Sequence, residues 1–224
     1  MCKHEIRTEK IKNYKINRII EINDISIYWD YETAAGGGSF GLDFLDLIPK
    51  RYNKVFSNCL ECFSGSGVIG FGLLATNSCE KITFNDIYQG AINNIAKTVR
   101  KNPALENKVN YYLGDNIKSI PKNNKYDLII GLPPHTRSND PKLGPNDRRL
   151  KVDEGYKIHE EFFKHAKNYL TDDGIIIILE DTRKNSPKDF IKMIEENGLQ
   201  INEVFLHKNK NHYYIEIVHS KNSK

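Results

Sequence analysis

Glu61, Gly65, Gly67 and Gly70 stand in the order acid, glycine, glycine, glycine within residues 55–70, VFSNCLECFSGSGVIG. An apolar strand that ends in an acid and runs through glycines into a helix makes a cradle for a nucleotide-like ligand. Glycine lets the backbone approach a ligand where a Cβ would clash, and the first helical turn offers unpaired N–H groups. The glycines alone suit a dinucleotide pyrophosphate equally well. Glu61 separates the two, because a carboxylate four residues before the first turn glycine would repel phosphate but neutralise a cationic head group. No Lys followed by Ser or Thr comes after the glycines, which argues against a nucleoside triphosphatase.

The elements around this turn must position the rest of the chemistry. Residues 81–86, KITFND, alternate apolar and polar and end in Asp86, and residues 89–101 carry Ala91, Ile92, Ile95, Ala96 and Val99 on one helical face. An acid about twenty residues beyond a glycine turn sits where a carboxylate accepts from both ribose hydroxyls; a helix cap is the competing role for Asp86. Two more strands follow: residues 108–113, ending at Gly114, Asp115 and Asn116, and residues 126–131, ending at Leu132, Pro133, Pro134 and His135. In a doubly wound sheet the carboxyl ends of the strands line the ligand crevice, so Glu61, Asp86, Asp115 and the prolyl loop are expected on one side.

Together these motifs resemble the class I S-adenosylmethionine-dependent methyltransferases, over roughly residues 28–219. ECFSGSG is similar to the family's first motif in the form where Phe, here Phe63, replaces the first glycine. The resemblance implies S-adenosylmethionine as cofactor and no metal. It gives Glu61 and the backbone of Phe63, Ser64, Gly65 and Gly67 to the methionine part, Asp86 to the ribose, Ile87 to the adenine face, and Asp115 with Asn116 to the adenine amino group. It also implies a doubly wound, mostly parallel seven-stranded α/β sheet. GIIIILE at residues 174–180, a helix near 187–197, and strands at 200–207 and 212–219 supply its end, an antiparallel hairpin. DLIIGLPPH resembles the family's Asp or Asn, Pro, Pro, aromatic loop, with Leu132 in the first place. There the family's side-chain oxygen accepts from the target nitrogen, which Leu132 cannot do. His135 in the last place suits stacking on a planar substrate or accepting a proton near neutral pH.

Upstream, residues 28–44 read YWDYETAAGGGSFGLDF. A linker this rich in glycine would lack Tyr28, Trp29, Tyr31, Phe40 and Phe44, so an ordered loop over the cofactor is expected. In the family this region precedes the first motif, so Gly37, Gly38, Ser39 and Phe40 are expected near the sulfonium or amino group, and Tyr28 and Tyr31 near the reacting centre. Residues 136–155 are polar and turn-rich, with Arg137, Lys142, Arg148, Arg149 and Lys151, and read as a substrate-side lid. The helix that follows carries Ile158, Phe162, Phe163, Ala166 and Leu170 on one face, with His159 beside the stripe as a substrate contact or a packed histidine.

Length and composition fit one globular domain, residues 28–224, behind an N-terminal extension of residues 1–27. Cys2, Cys59, Cys62 and Cys79 lack zinc spacing and read as reduced thiols, and the absence of a leader-like or membrane-length apolar run implies a cytoplasmic protein. The net charge of +4 comes from dispersed lysines, so a small-molecule or peptide acceptor is favoured while nucleic acid stays open; the oligomeric state is not legible. The segment 3–18 is an arm for nucleic acid, or a helix or strand packed on the domain. Methyl transfer to nitrogen or oxygen is the first expectation. Aminocarboxypropyl transfer or cyclisation with methylthioadenosine as product, methylation of RNA or protein nitrogen, and a non-catalytic binding protein are the alternatives.

Overall fold

The computed structural model of the chain describes residues 6–8, 18–33, 37–137 and 143–221. Part of the basic N-terminal segment and residues 138–142 of the expected lid lie outside them. The chain divides into two compact units, Met1–Gly114 and Asp115–Lys224.

In the first unit the strands β1 (Ile6–Thr8), β2 (Arg18–Ile22) and β3 (Ile25–Trp29) form a small antiparallel sheet. A two-residue turn joins β2 to β3 with Asn23 at φ 48, a left-handed conformation that Asn tolerates. Tyr28 and Trp29 therefore finish a strand, where a loop was expected to begin. Helix α1 (Phe44–Tyr52) follows, and then the unit alternates: β4 (Phe56–Cys62), α2 (Val68–Ala75), β5 (Cys79–Asp86), α3 (Gln89–Lys101) and β6 (Val109–Leu113). β4 pairs parallel with β5, and β5 parallel with β6. Helix α2 buries every residue from Val68 to Leu74 and has no polar face, as befits a helix enclosed on all sides. Helix α3 is amphipathic, burying Ala91, Ile92, Ile95 and Thr98 and ending in Arg100 and Lys101, which suit its carbonyl end.

The second unit holds β7 (Tyr126–Gly131), α4 (Pro145–Lys151), α5 (Lys157–Ala166), β8 (Leu170–Asp181), α6 (Lys188–Glu195), β9 (Leu199–Leu206) and β10 (His212–His219). β7 and β8 are parallel, while β10 runs antiparallel to both β8 and β9. Ile176 to Leu179 are buried, as the apolar run of a strand covered on both faces requires. The whole sheet has seven strands in the order β6-β5-β4-β7-β8-β10-β9, the doubly wound sheet with a closing hairpin that the sequence implied. Helix α4 interrupts the expected lid loop, starting with Pro145 at a position that needs no backbone donor. No helix among the described residues is long and apolar enough to cross a membrane.

Candidate active site

The glycine turn after β4 is held from inside the first unit. Phe63, Gly65 and Gly67 have φ of 56, 51 and 73. For Phe63 that left-handed backbone costs about 1–2 kcal/mol, a strain glycine would not carry. A Cβ on Gly65 would strike the Thr33 carbonyl, and one on Gly67 would come within 2.7 Å of the Phe84 ring. A Cβ on Gly70 would come equally close, 2.6 Å from Phe84 and 2.8 Å from Glu61 Oε2. Two of the three glycines are thus demanded by helix-to-strand packing as well as by any ligand.

Glu61 is buried at the end of β4, where Oε2 accepts the Gly70 N–H at 2.7 Å. Burial pushes its pKa up to about 8, the Gly70 N–H pulls it down, and the charge of Asp86 adds to the rise. Burial likewise pushes the neighbouring Cys62 thiol up, and Cys59, Cys62 and Cys79 are all buried. Asp86 reaches back to the turn. Its Oδ2 accepts from Gly65 N–H at 2.7 Å and its Oδ1 from Tyr88 N–H at 2.9 Å, so it latches the turn and the entry to α3 together. Ile87 beside it is exposed.

A buried polar cluster, whose members are too far apart in the sequence to form a motif, ties the upstream segment to the turn. Thr33 Oγ1 lies 2.6 Å from Ser66 Oγ and donates to Asp30 Oδ1 at 2.9 Å, while Asn94 Nδ2 donates to Asp30 Oδ2 at 2.8 Å. Gly38 lies against the Trp29 indole, where a Cβ would stand 2.7 Å from Nε1. Phe40 N–H closes a turn onto Gly37 O at 3.1 Å, and Ser39 is exposed. Tyr28 N–H donates to Thr98 Oγ1 at 2.9 Å, and the exposed Tyr31 ring carries the Arg18 guanidinium 4.4 Å from its centre.

In the second unit, Asp115 is exposed and Asn116 is buried. Asn116 Oδ1 accepts from Ile117 N–H at 2.8 Å and its Nδ2 donates to Ile158 O at 3.0 Å, so its side chain docks the start of α5. Pro133 is buried, and Leu132, Pro134 and His135 are half-buried. Arg137 is exposed, with its guanidinium 5.1 Å from the centre of the Tyr156 ring.

His135 enters a second buried array. Glu180, fully buried at the end of β8, accepts from His135 Nδ1 at 3.1 Å, Asn185 Nδ2 at 2.7 Å and His159 Nε2 at 2.9 Å. The other nitrogen of His159 donates to Asp153 Oδ2 at 2.5 Å, and its ring stacks on Phe190 at 4.8 Å. Tyr213 OH donates to Asn185 Oδ1 at 2.8 Å. Burial opposes both charges, yet the pair prevails: Glu180 and Asp153 raise the pKa of His159, and the two histidines hold Glu180 well below the usual carboxylate range. Only His135 and His159 of this array were singled out in the sequence. Glu180 read as the end of an apolar strand, and its position at a strand's carboxyl end was the available signal.

Several features of the first unit fit a nucleoside sulfonium. Ser64 Oγ and Trp29 Nε1 are buried without a protein partner among the described residues, the turn presents the α2 N-terminus, and Glu61 has the charge type for a cationic head group. A mostly parallel sheet closed by an antiparallel hairpin, with an acid and a glycine turn after a parallel strand, defines a class I S-adenosylmethionine-dependent methyltransferase fold. Residues 44–216 match the methyltransferase small domain, and the chain belongs to that family, whose cofactor is S-adenosylmethionine.

Among curated proteins the chain is similar to a release factor glutamine methyltransferase from Fusobacterium nucleatum, 27% identical over 154 residues, 64% of this chain and 42% of that protein. A bifunctional methyltransferase from Rickettsia bellii is 27% identical over 161 residues, 65% of this chain and 27% of that one. The chain thus spans less than half the length of either relative. Among solved structures, an S-adenosylmethionine-dependent methyltransferase from Clostridium acetobutylicum aligns with a TM-score of 0.57 at 14% identity, over 80% of this chain and 90% of that chain. At that identity the likeness is one of fold.

Proposed function

We propose that the chain is an S-adenosylmethionine-dependent methyltransferase acting on a nitrogen or oxygen nucleophile of a small molecule or peptide. The observation that carries this reading is the turn after β4, with Gly65 and Gly67 at positive φ, Glu61 buried beside them and Asp86 latched to Gly65 N–H. The family match supports it, and both curated relatives bear the name methyltransferase. In this reading Glu61 and the backbone of residues 63–67 hold the methionine part, and Asp86 takes the ribose hydroxyls. Gly37, Gly38, Ser39 and Phe40 cover the cofactor, and Ile87, Asp115 and Asn116 serve the adenine. S-adenosylmethionine supplies, when bound, a methyl carbon activated by the adjacent sulfonium.

The residues around that carbon contribute alignment and exclusion of water more than acid catalysis, since an in-line displacement depends chiefly on placement. Calorimetric titration with S-adenosylmethionine tests the reading, followed by mass spectrometry of the sulfur product. Adenosylhomocysteine formed only with an acceptor supports methyl transfer, and methylthioadenosine formed without one overturns it. Asp86→Ala should weaken binding at least about tenfold, the worth of a charge-assisted hydrogen bond. Binding as tight as the parent's would remove the ribose assignment.

A further inference from the structure

Glu180 settles which nitrogen of His135 carries a proton. An ionised carboxylate can only accept, and Glu180 Oε2 lies 3.1 Å from His135 Nδ1, so Nδ1 is the donor. In the neutral ring that leaves Nε2 with its lone pair, and Nε2 has no partner among the described residues. His159 is in the opposite position. Both of its nitrogens face carboxyl groups, Asp153 at 2.5 Å and Glu180 at 2.9 Å, so each bears a hydrogen and the ring is cationic.

Two carboxylates against one imidazolium leave this buried array one negative charge in excess, and a proton arriving at Nε2 of His135 brings the sum to zero. The low dielectric of the interior makes that balance count. His212, whose ring centre lies 6.4 Å from that of His135, also faces it, with Asp181, His207 and Arg183 beyond. One place along the same loop from the diproline, the Leu132 side chain offers no hydrogen-bond acceptor to an amide or amine target.

Resting on the methyltransferase reading above, we propose that His135 Nε2 is the proton acceptor of the transfer, with Glu180 and His159 as positioning residues, and that the acceptor is a nucleophile arriving protonated, of the phenol class. In the step the acceptor–methyl bond forms, the carbon–sulfur bond breaks with its electron pair staying on sulfur, and the acceptor's proton passes to Nε2. A side-chain carboxamide does not need this base. What it needs, an oxygen to orient its nitrogen, is what Leu132 lacks.

The test is long-range proton–nitrogen correlation NMR on the whole chain labelled with 15N-histidine, with His135 assigned by its disappearance in His135→Gln. The expected spectrum shows His159 protonated on both nitrogens at pH 7.5 and, in the neutral form of His135, a single tautomer protonated on Nδ1. Glu180→Gln, whose amide can present either an oxygen or an NH2 group, should turn His135 into a mixture of tautomers while the backbone amide spectrum stays that of the folded parent, which loss of packing would not leave unchanged. A neutral His135 protonated on Nε2 would overturn the proposal. The wild-type spectrum is decisive by itself, so a poorly folded variant leaves the test intact. Calorimetry with S-adenosylmethionine runs alongside. Binding that depends on Asp86 together with the wrong tautomer retires this inference and leaves the methyltransferase reading standing.

Discussion

Glu61 and Glu180 are both buried glutamates near the carboxyl ends of parallel-paired strands, β4 and β8, and their protons are held in opposite ways. Glu61 has one N–H partner and is driven toward its neutral form, with a pKa of about 8. Glu180 has two histidines and an asparagine and keeps its charge, with a pKa of about 2. Depth of burial does not separate them; the supply of donors does. Glu180 is satisfied by the protein itself, whereas Glu61 gains most from a cation brought in from outside.

The largest effect should come from removing the self-sufficient acid. Glu180→Ala leaves His135, His159 and Asn185 without their shared acceptor, and about 3–5 kcal/mol of stability should be lost in urea unfolding. Next, Gly70→Ala pushes a methyl group against Phe84, Ile82 and the Glu61 carboxyl, which overpacking puts at about 1–3 kcal/mol by the same assay.

The pH dependence sharpens the contrast. Stability from His159 is fully present below its ordinary value of 6.5 and is lost as pH rises through about 9. That from Glu180 is fully present above 4.5 and is lost as pH falls through about 2. Glu61 behaves as a raised acid, contributing below 4.5 and losing its contribution as pH rises through about 8. A thermal melt series from pH 4 to 9 should therefore show wild type losing ground to Glu61→Gln as pH rises, the reverse of the usual cost of removing a charge. The smallest effect is that of Glu61→Gln near pH 5, where both side chains are neutral and less than about 1 kcal/mol should separate them. A large loss there would mean that Glu61 is ionised and satisfied like Glu180.

Much of the sheet was legible. Helix α3 and strands β7 and β10 begin and end where period and punctuation put them, because each is an apolar pattern bounded by turn residues. Helix α1 carries a proline inside it, and α4 sits in a segment rich in proline, glycine and charge, so local signals argued against both. The β1–β2–β3 sheet was hidden in a polar, lysine-rich stretch with little alternation. The acid and glycines of the turn could be read because they lie within one short run. Asp153, Glu180, Asn185 and Tyr213 could not, since a polar array closed by tertiary contacts leaves no spacing to recognise, and an acid at the end of an apolar run looks like punctuation. The glycines also had more than one reason to be glycine, and only the ring of Phe84 and the carbonyl of Thr33 reveal the second.

The hydroxyl pair of Thr33 and Ser66, with Asp30 and Asn94 around it, also bears on how a fragment of this molecule should be cut for expression. The family match starts at residue 44, and a clone trimmed to that border would take Thr33 and Asp30 away from Ser66 and Asn94 and remove the Thr33 carbonyl that lies against Gly65. The safe cut lies upstream of β2, so that the hairpin travels with the loop it braces.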